Sequence, residues 1–356
     1  MDKKELDKAI QKTVLKMAME PKNIEHYHDL AKYYAMDNQY EKVISVYESL
    51  LEIEPKDIQT LLNLGSIWFY AKDYKKALKY FNEAVLVNPS NYLVYYNLGN
   101  TYAEMKNFSK ALHYYSRTLD FNSQDPEIYN AIALLYHDFE DYVEARAYYE
   151  KSLSIDPANL TALIDLGNVC YKLYDYNQAL DYYNRVFAMA PDNKTVVLCL
   201  ANTLAIIKNK EDCYKHFDLA LSLEGENYKT YICYAIAASD FKDYDLAVES
   251  YKKAIELNPQ EVNAYILLGN LYSNLKKYKE AEEQYREALK INKLDPSIYV
   301  LIANTYYMNE EIERSIFSYR AAVNLRPEND EYKLVFIQVL EDFINETRKD
   351  DLIANF

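Results

Sequence analysis

A spacing of 34 residues recurs along this sequence and limits the folds that it can adopt. Pro21, Pro55 and Pro89 lie 34 residues apart, and no insertion or deletion interrupts the register between residues 24 and 329. A fixed period of this length is typical of arrays in which each repeat stacks on its neighbours. We therefore expect the 356 residues to form one repeat array and not two or three unrelated domains.

Two positions of the 34-residue register, here called columns, carry nearly the same residue type in every repeat. Every repeat carries Gly or Ala at one position and an aromatic residue sixteen positions later. The small column is Ala31, Gly65, Gly99, Ala133, Gly167, Ala201, Ala235, Gly269 and Ala303, and the aromatic column is Tyr47, Phe81, Tyr115, Tyr149, Tyr183, Phe217, Tyr251, Tyr285 and Tyr319. Because only small residues permit close approach, the first column predicts close contact within a repeat. The aromatic side chains are expected to fill the space towards the next repeat.

Within one repeat, apolar residues follow helical spacing in two segments. Leu61, Leu64 and Trp68 belong to the first segment, and Ala77 and Phe81 belong to the second. A short polar step between them predicts two antiparallel helices, and the following proline ends the second helix. Nineteen to twenty helices and no strand are expected. Nine such repeats are predicted, at residues 24–57, 58–91, 92–125, 126–159, 160–193, 194–227, 228–261, 262–295 and 296–329.

Residues 1–23 are predicted to form an N-terminal capping helix. Leu6, Ile10, Val14 and Met17 form one stripe at helical spacing, which favours a helix that covers the first repeat. The alternative is a basic amphipathic helix on a membrane surface, because lysines are frequent in this segment.

Residues 330–356 are predicted to form a C-terminal capping helix and a tail. The repeat pattern restarts after residue 329, but Ile337 occupies the small column and would block a second helix. We therefore expect a single helix at 330–346, followed by a polar tail that includes Leu352, Ile353 and Phe356.

The pattern weakens in repeats six and seven. The position held by Tyr136 in repeat four is Cys170, Leu204 and Ala238 in the next three, and Gly225 replaces the usual proline. This weakening is either the ordinary drift of a degenerate repeat or a softer joint that lets the array flex.

Charge and hydropathy exclude several classes of function. The formal net charge is −15, and nucleic-acid binding relies on cationic side chains, so the sequence predicts no nucleic-acid partner. No apolar run approaches the ~20 residues that span a bilayer, and the N-terminus lacks the apolar stretch of a signal peptide. A soluble, cytoplasmic protein is expected, and a membrane partner is not favoured.

No pattern of catalytic or metal-binding residues is apparent. The five histidines are scattered, no glycine-rich phosphate loop is present, and the four cysteines form no CxxC pair. We interpret the cysteines as small core residues without disulfides. The sequence therefore predicts no enzyme activity, no metal and no cofactor.

Residues 92–125 resemble the tetratricopeptide repeat family. The residues that carry the resemblance are Tyr95, Leu98, Gly99, Tyr102, Ala111 and Tyr115, and the same residue classes recur in all nine repeats. The resemblance implies an all-α fold, an α-solenoid of about nine helix-turn-helix repeats that form a right-handed superhelix. It also implies that the first helix of each repeat lines a concave groove.

By that resemblance, the residue after the small column faces the groove and is asparagine in five repeats. The residue four positions earlier is mostly apolar. The predicted peptide-binding groove comprises Tyr96, Asn100, Ile164, Asn168, Tyr171, Leu198, Asn202, Ile266, Asn270, Val300 and Asn304. An asparagine amide can pair with a peptide backbone, although asparagine also belongs to the family consensus. The chaperone-binding members of the family use a groove lysine that this chain lacks.

These observations predict a protein-interaction scaffold or adaptor that binds a peptide segment of a protein partner in the groove. Two other classes stay open. One is a structural protein in which arrays associate with each other, and the other is a regulatory subunit of an enzyme complex.

Overall fold

The computed structural model describes residues 2–354, and it describes their side chains except those of Glu224 and residues 346–354. Residues 2–354 contain twenty helices and no strand, which confirms the predicted all-α fold. The helices are α1 (Lys3–Met19), α2 (Ile24–Met36), α3 (Tyr40–Ile53), α4 (Ile58–Tyr70), α5 (Tyr74–Val87), α6 (Tyr92–Glu104), α7 (Phe108–Phe121), α8 (Pro126–Asp138), α9 (Tyr142–Ile155), α10 (Leu160–Lys172), α11 (Tyr176–Met189), α12 (Lys194–Ile206), α13 (Lys210–Glu224), α14 (Tyr228–Asp240), α15 (Tyr244–Leu257), α16 (Val262–Asn274), α17 (Tyr278–Ile291), α18 (Pro296–Met308), α19 (Ile312–Leu325) and α20 (Asp330–Ala354).

The helices between α1 and α20 form consecutive helix-turn-helix pairs, one pair to each 34-residue repeat. The chain divides into two compact units, residues 1–182 and 183–356, with the division inside α11. Within each unit, the helices that pack closely together are adjacent or next but one along the chain. Each unit is therefore a stack of local pairs.

Short polar side chains set where the first helix of each repeat begins. Asn23 accepts a hydrogen bond from the amide of Glu25 at 3.2 Å, and Asp57 accepts one from the amide of Thr60 at 2.9 Å. Equivalent caps recur 34 residues apart at Asn91, Asp125, Asn159, Asn193, Asn227, Glu261 and Asp295. These side chains satisfy amides that have no partner inside the helix.

One residue in each turn within a repeat has a left-handed backbone. Lys72, for example, has φ of 60°. The same conformation recurs at Asn38, Lys106, Glu140, Tyr174, Lys208, Lys242, Lys276 and Glu310. A side chain with a Cβ atom is disfavoured in this region by roughly 1–2 kcal/mol. Each turn is therefore strained, and none of these positions carries the glycine that would relieve the strain.

We expect Tyr174→Gly to stabilise the protein relative to Tyr174→Ala. Tyr174 is 78% exposed and has φ of 63°, so little packing is lost with its ring. Both variants remove the ring, but only glycine adopts positive φ without steric cost. The difference should be up to about 1 kcal/mol in favour of glycine. Urea unfolding of the two variants would measure it, and equal midpoints would contradict the strain.

The small and aromatic columns meet inside each repeat. A Cβ atom built on Gly99 would lie 2.5 Å from Cδ1 of Tyr115, and one on Gly65 would lie 2.3 Å from Cε1 of Phe81. The small column therefore admits an aromatic ring from the second helix of the same repeat. The aromatic side chains were expected to fill the space towards the next repeat, but the atoms closest to these two glycines belong to the ring of the same repeat.

Thirteen of the 39 tyrosines are buried, and most of the others are half-buried. Some tyrosines close the loops between repeats. The Tyr95 hydroxyl, for example, donates a hydrogen bond to the carbonyl of Pro89 at 2.8 Å. Tyr129 and Tyr265 make the equivalent bonds to Ser123 and Pro259, at 3.2 and 3.3 Å. The tyrosines therefore serve both the core and the loops between repeats.

Repeats six and seven keep their helix pairs although their consensus rings are missing. Tyr234 stacks on Phe217 with ring centroids 4.9 Å apart and lies 5.3 Å from the ring of Tyr214. Helix α13 ends at Gly225, whose φ of 75° stops the helix where other repeats use proline. Neighbouring aromatic residues thus supply the missing volume, while flexibility in this region stays a prediction.

Helix α1 packs on α2, and of the predicted stripe only Val14 is exposed. Leu6 and Thr13 are buried, whereas Val14 is 44% exposed. The hydroxyl of Thr13 donates to the carbonyl of Ala9 at 2.9 Å, so a threonine can occupy the buried position. The prediction that Val14 belongs to the packing face was wrong.

Helix α20 packs on α19 and covers the last repeat. Val339 is buried beside Ala303 and Tyr319. Ile337, which occupies the small column, is 51% exposed. The helix continues to Ala354, beyond the predicted end at residue 346, so residues 347–354 are not a separate tail. The side chains of Leu352 and Ile353 and the whole of Phe356 lie outside the described residues.

Candidate functional site

In the first unit, the first helices of successive repeats share a cavity of about 280 Å³. Tyr96 and Asn100 of α6 line it, together with Asn130 of α8 and Asp165 of α10. Tyr115, from the second helix of the same repeat as Asn100, closes part of its floor. Two of the predicted groove residues therefore lie on one concave surface.

In the second unit, two cavities lie between first helices. One, of about 380 Å³ between α14 and α16, is lined by Ile266. The other, of about 280 Å³ between α16 and α18, is lined by Asn270 and Asn304 together with Tyr285. The two asparagines therefore face a common space.

The other predicted groove residues line none of these three cavities. Ile164, Asn168 and Tyr171 belong to α10 in the first unit, while Leu198, Asn202 and Val300 belong to α12 and α18 in the second. All six are half-buried, so part of each side chain is accessible. Asn304 is the one groove asparagine that is exposed.

Three asparagines of the predicted groove accept hydrogen bonds from the aromatic column. The hydroxyl of Tyr115 donates to Oδ1 of Asn100 at 2.7 Å, and that of Tyr285 donates to Oδ1 of Asn270 at 2.7 Å. Tyr319 makes the same bond to Asn304. The column therefore fixes the orientation of these amides. Asn202 differs, because Phe217 occupies the aromatic position and has no hydroxyl.

These hydroxyls are protonated at neutral pH, as tyrosine hydroxyls ordinarily are, and burial extends that state to higher pH. Desolvation raises the pKa of Tyr115 and Tyr285 well above the usual range for tyrosine, and raises that of Tyr319 to about 12. Each hydroxyl can therefore act as a donor to the asparagine oxygen. In Asn270 and Asn304, this leaves the amide Nδ2 as the group that can donate to a ligand.

The sequence analysis missed an acidic lining of the first cavity. Glu104, Glu127, Asp138 and Asp165 line it. Asp165 is half-buried, and burial raises its pKa despite the nearby His137 and the hydrogen bond from Tyr149. A signal was present in the sequence, because Asp165 directly follows the groove residue Ile164.

The cysteines, which all lie among the described residues, form no disulfide. Burial raises the pKa of Cys170 to about 11 and that of Cys213 to about 12. Both thiols therefore stay protonated and are poor nucleophiles at neutral pH. Across the described part of the chain, no group of three or more His, Cys, Asp or Glu is placed to hold a metal.

Known structures share this architecture. A tetratricopeptide repeat protein from Parabacteroides merdae superposes with a TM-score of 0.56 at 16% identity, over 70% of this chain and 98% of the other. The C-terminal part of a repeat-containing protein from Cytophaga hutchinsonii gives a TM-score of 0.54 at 16% identity, over 67% and 97%. Among curated protein sequences, none matches this chain.

Family models of the tetratricopeptide repeat match residues 69–135, 124–192, 238–305 and 296–329. Together these matches cover more than half of the chain. The chain belongs to the tetratricopeptide repeat family. Proteins of this fold generally mediate contacts between proteins, and they are generally scaffolds without catalytic activity of their own.

A membrane span is not found among the helices described, since none of them combines sufficient length with sufficient apolar character.

Proposed function

We propose that this protein is a scaffold that holds an extended segment of a partner protein on the first helices of its repeats. The observation that carries this proposal is the set of oriented asparagine amides beside half-buried apolar side chains. Asn270 and Asn304 face one cavity with their oxygens already bonded to tyrosines. The proposal places the protein in the cytoplasm, as an adaptor and not as an enzyme.

The amides would recognise the backbone of the segment. In Asn270, Oδ1 is engaged by Tyr285, and Nδ2 would donate to a peptide carbonyl. The apolar residues one helical turn earlier, such as Ile266, would contact alternate side chains of an extended strand. Each amide contact of this kind contributes about 0.5–1.5 kcal/mol net.

The test uses peptides that the wild-type protein selects from a random displayed library. We expect the double variant Asn202→Ala with Asn270→Asp to bind these peptides roughly tenfold more weakly, since 1.4 kcal/mol is one decade. Aspartate at position 270 keeps an oxygen for the Tyr285 hydroxyl but removes the amide donor. Fluorescence anisotropy measures the affinity, and thermal unfolding checks that the fold is kept.

Asn324→Asp is the matched control. Asn324 is exposed on α19, a second helix, so this change adds the same charge away from the proposed site. We expect the control to bind as the wild type does. Equal binding by the double variant and the wild type would place the peptide elsewhere and contradict the role of the asparagines.

Self-association is the second candidate function. Leu334 is 67% exposed and Ile337 is 51% exposed on α20, which leaves an apolar face that a second copy of the chain could cover. Light scattering should then show an oligomer that Ile337→Glu dissociates. A monomer for the wild type would exclude this alternative.

A further inference from the structure

The cavity of the first unit has an acidic lining that the recognition of a peptide backbone does not use. Four carboxylates line its volume of about 280 Å³, and neither lysine nor arginine is among the lining residues described. This volume is several times the roughly 30 Å³ that one water molecule occupies in the liquid, so the cavity can hold one long side chain. Phe69 and Tyr96 supply aromatic walls.

Two of these carboxylates already have partners. Asp138 forms an ion pair with Nζ of Lys106 at 3.2 Å, and Glu127 accepts a hydrogen bond from Nδ2 of Asn159 at 3.0 Å. Asp165 and Glu104 form no ion pair among the described residues. Asp165 accepts a hydrogen bond from the hydroxyl of Tyr149 at 3.5 Å, and the nearby His137 also favours its charge.

Tyr149 and His137 therefore offset only part of the cost of holding the Asp165 carboxylate in a half-buried position. Burial is the largest influence on this carboxyl group and raises its pKa, which means that the folded protein disfavours the charge. A cation in the cavity would offset this cost.

Asn130 provides an independent observation. Its side chain lines the cavity and is 9% exposed, yet neither Nδ2 nor Oδ1 has a hydrogen-bond partner. Buried polar groups are nearly always hydrogen-bonded, and one without a partner destabilises the folded state. The amide oxygen therefore lacks a hydrogen-bond donor, and a ligand in the cavity could supply one.

We propose that this cavity holds the side chain of an arginine from the bound partner segment. A guanidinium group is planar and carries five N–H donors, so it can bond the carboxylate of Asp165 and the amide oxygen of Asn130 together. Its flat face can stack on an aromatic ring such as that of Tyr96. Lysine is the weaker occupant, because an ammonium group cannot bond in a bidentate manner or stack.

This inference rests on the proposed function, since the arginine belongs to the partner segment, here where it contacts first helices of the first unit. The inference adds to that proposal the kind of side chain that the partner segment carries. A segment with an arginine beside apolar residues would fit this unit, and a segment with an acidic residue at that place would be excluded by Asp165 and Glu104.

The random displayed library also tests this inference. We expect the peptides selected by the wild-type protein to share an arginine at one position. The selected peptide should bind Asp165→Asn at least tenfold more weakly than wild type, and its Arg→Gln version should bind the wild type equally weakly. The Arg→Lys version should fall between. Asparagine at 165 keeps an oxygen for the Tyr149 hydroxyl, so the variant should fold with an equal or higher melting temperature.

Glu52→Gln is the matched control, because Glu52 is exposed on α3 and away from the cavity. It removes the same charge and should bind the peptide as the wild type does. Selected peptides that share no arginine, or equal binding by Asp165→Asn and wild type, would overturn this inference but leave the peptide scaffold intact. If the wild type selects no peptide at all, the proposed function fails and this inference fails with it.

Discussion

Gly99→Leu should destabilise the protein by about 2–4 kcal/mol, through overpacking and the contacts that are lost when the core rearranges. Even a Cβ atom at this position would lie 2.5 Å from Cδ1 of Tyr115, far inside van der Waals contact. Tyr115 is buried and bonded to Asn100, so the ring cannot move away without losing that bond. Urea unfolding, followed by circular dichroism at the helix signal, measures the effect.

Ser116→Leu is the control for this substitution. Ser116 is exposed on α7, one residue after Tyr115, so the same side chain meets solvent there. We expect the urea midpoint of Ser116→Leu to lie close to that of the wild-type protein. An unchanged midpoint for Gly99→Leu would show that the first and second helices of this repeat do not meet through the small column.

Phe81→Ala should cost more, about 3–5 kcal/mol, because it empties a fully buried site. The Phe81 side chain is 1% exposed, and its ring fills the space beside Gly65. Phe317→Ala is the control, since Phe317 is 70% exposed and has little packing to lose. The urea midpoints of the two variants compare the loss of a buried phenylalanine ring with the loss of an exposed one.

The combination of Phe81→Ala with Gly65→Leu sharpens this result. Leucine would enter the space that the ring leaves, so the double variant should be more stable than the sum of the two single effects predicts. Interaction terms of 0.5–3 kcal/mol are common between residues in contact. Additive effects would mean that the two side chains do not share one space.

The repeat register made most of the fold predictable from sequence. The 34-residue spacing of Pro21, Pro55 and Pro89 defined the helix pairs, because proline and the polar caps near it constrain helix ends locally. The small column also predicted where the helices meet. The choice of Val14 as a packing residue failed, because helical periodicity alone cannot distinguish it from Thr13, whose hydroxyl bonds its own helix.

The candidate site was less predictable than the fold. The asparagine column was visible, but the bonds from Tyr115 and Tyr285 depend on how rings of the second helix pack against the first. The acidic cavity was missed because a carboxylate is normally solvated. Only the arrangement of neighbouring helices around Asp165 makes that position half-buried. Both features depend on how helices pack in space, and the residue types at one position of the repeat do not show that packing.

The local packing of each unit has a consequence for how the chain acquires and loses its structure. Close helix contacts join elements that are adjacent or next but one in sequence, so no long loop must close before a pair forms. The entropic barrier to folding is therefore low, and folding can begin at any pair and spread. For the same reason, a proteolytic cut in one turn separates few partners, and the helix pairs on either side of it keep the neighbours that hold them.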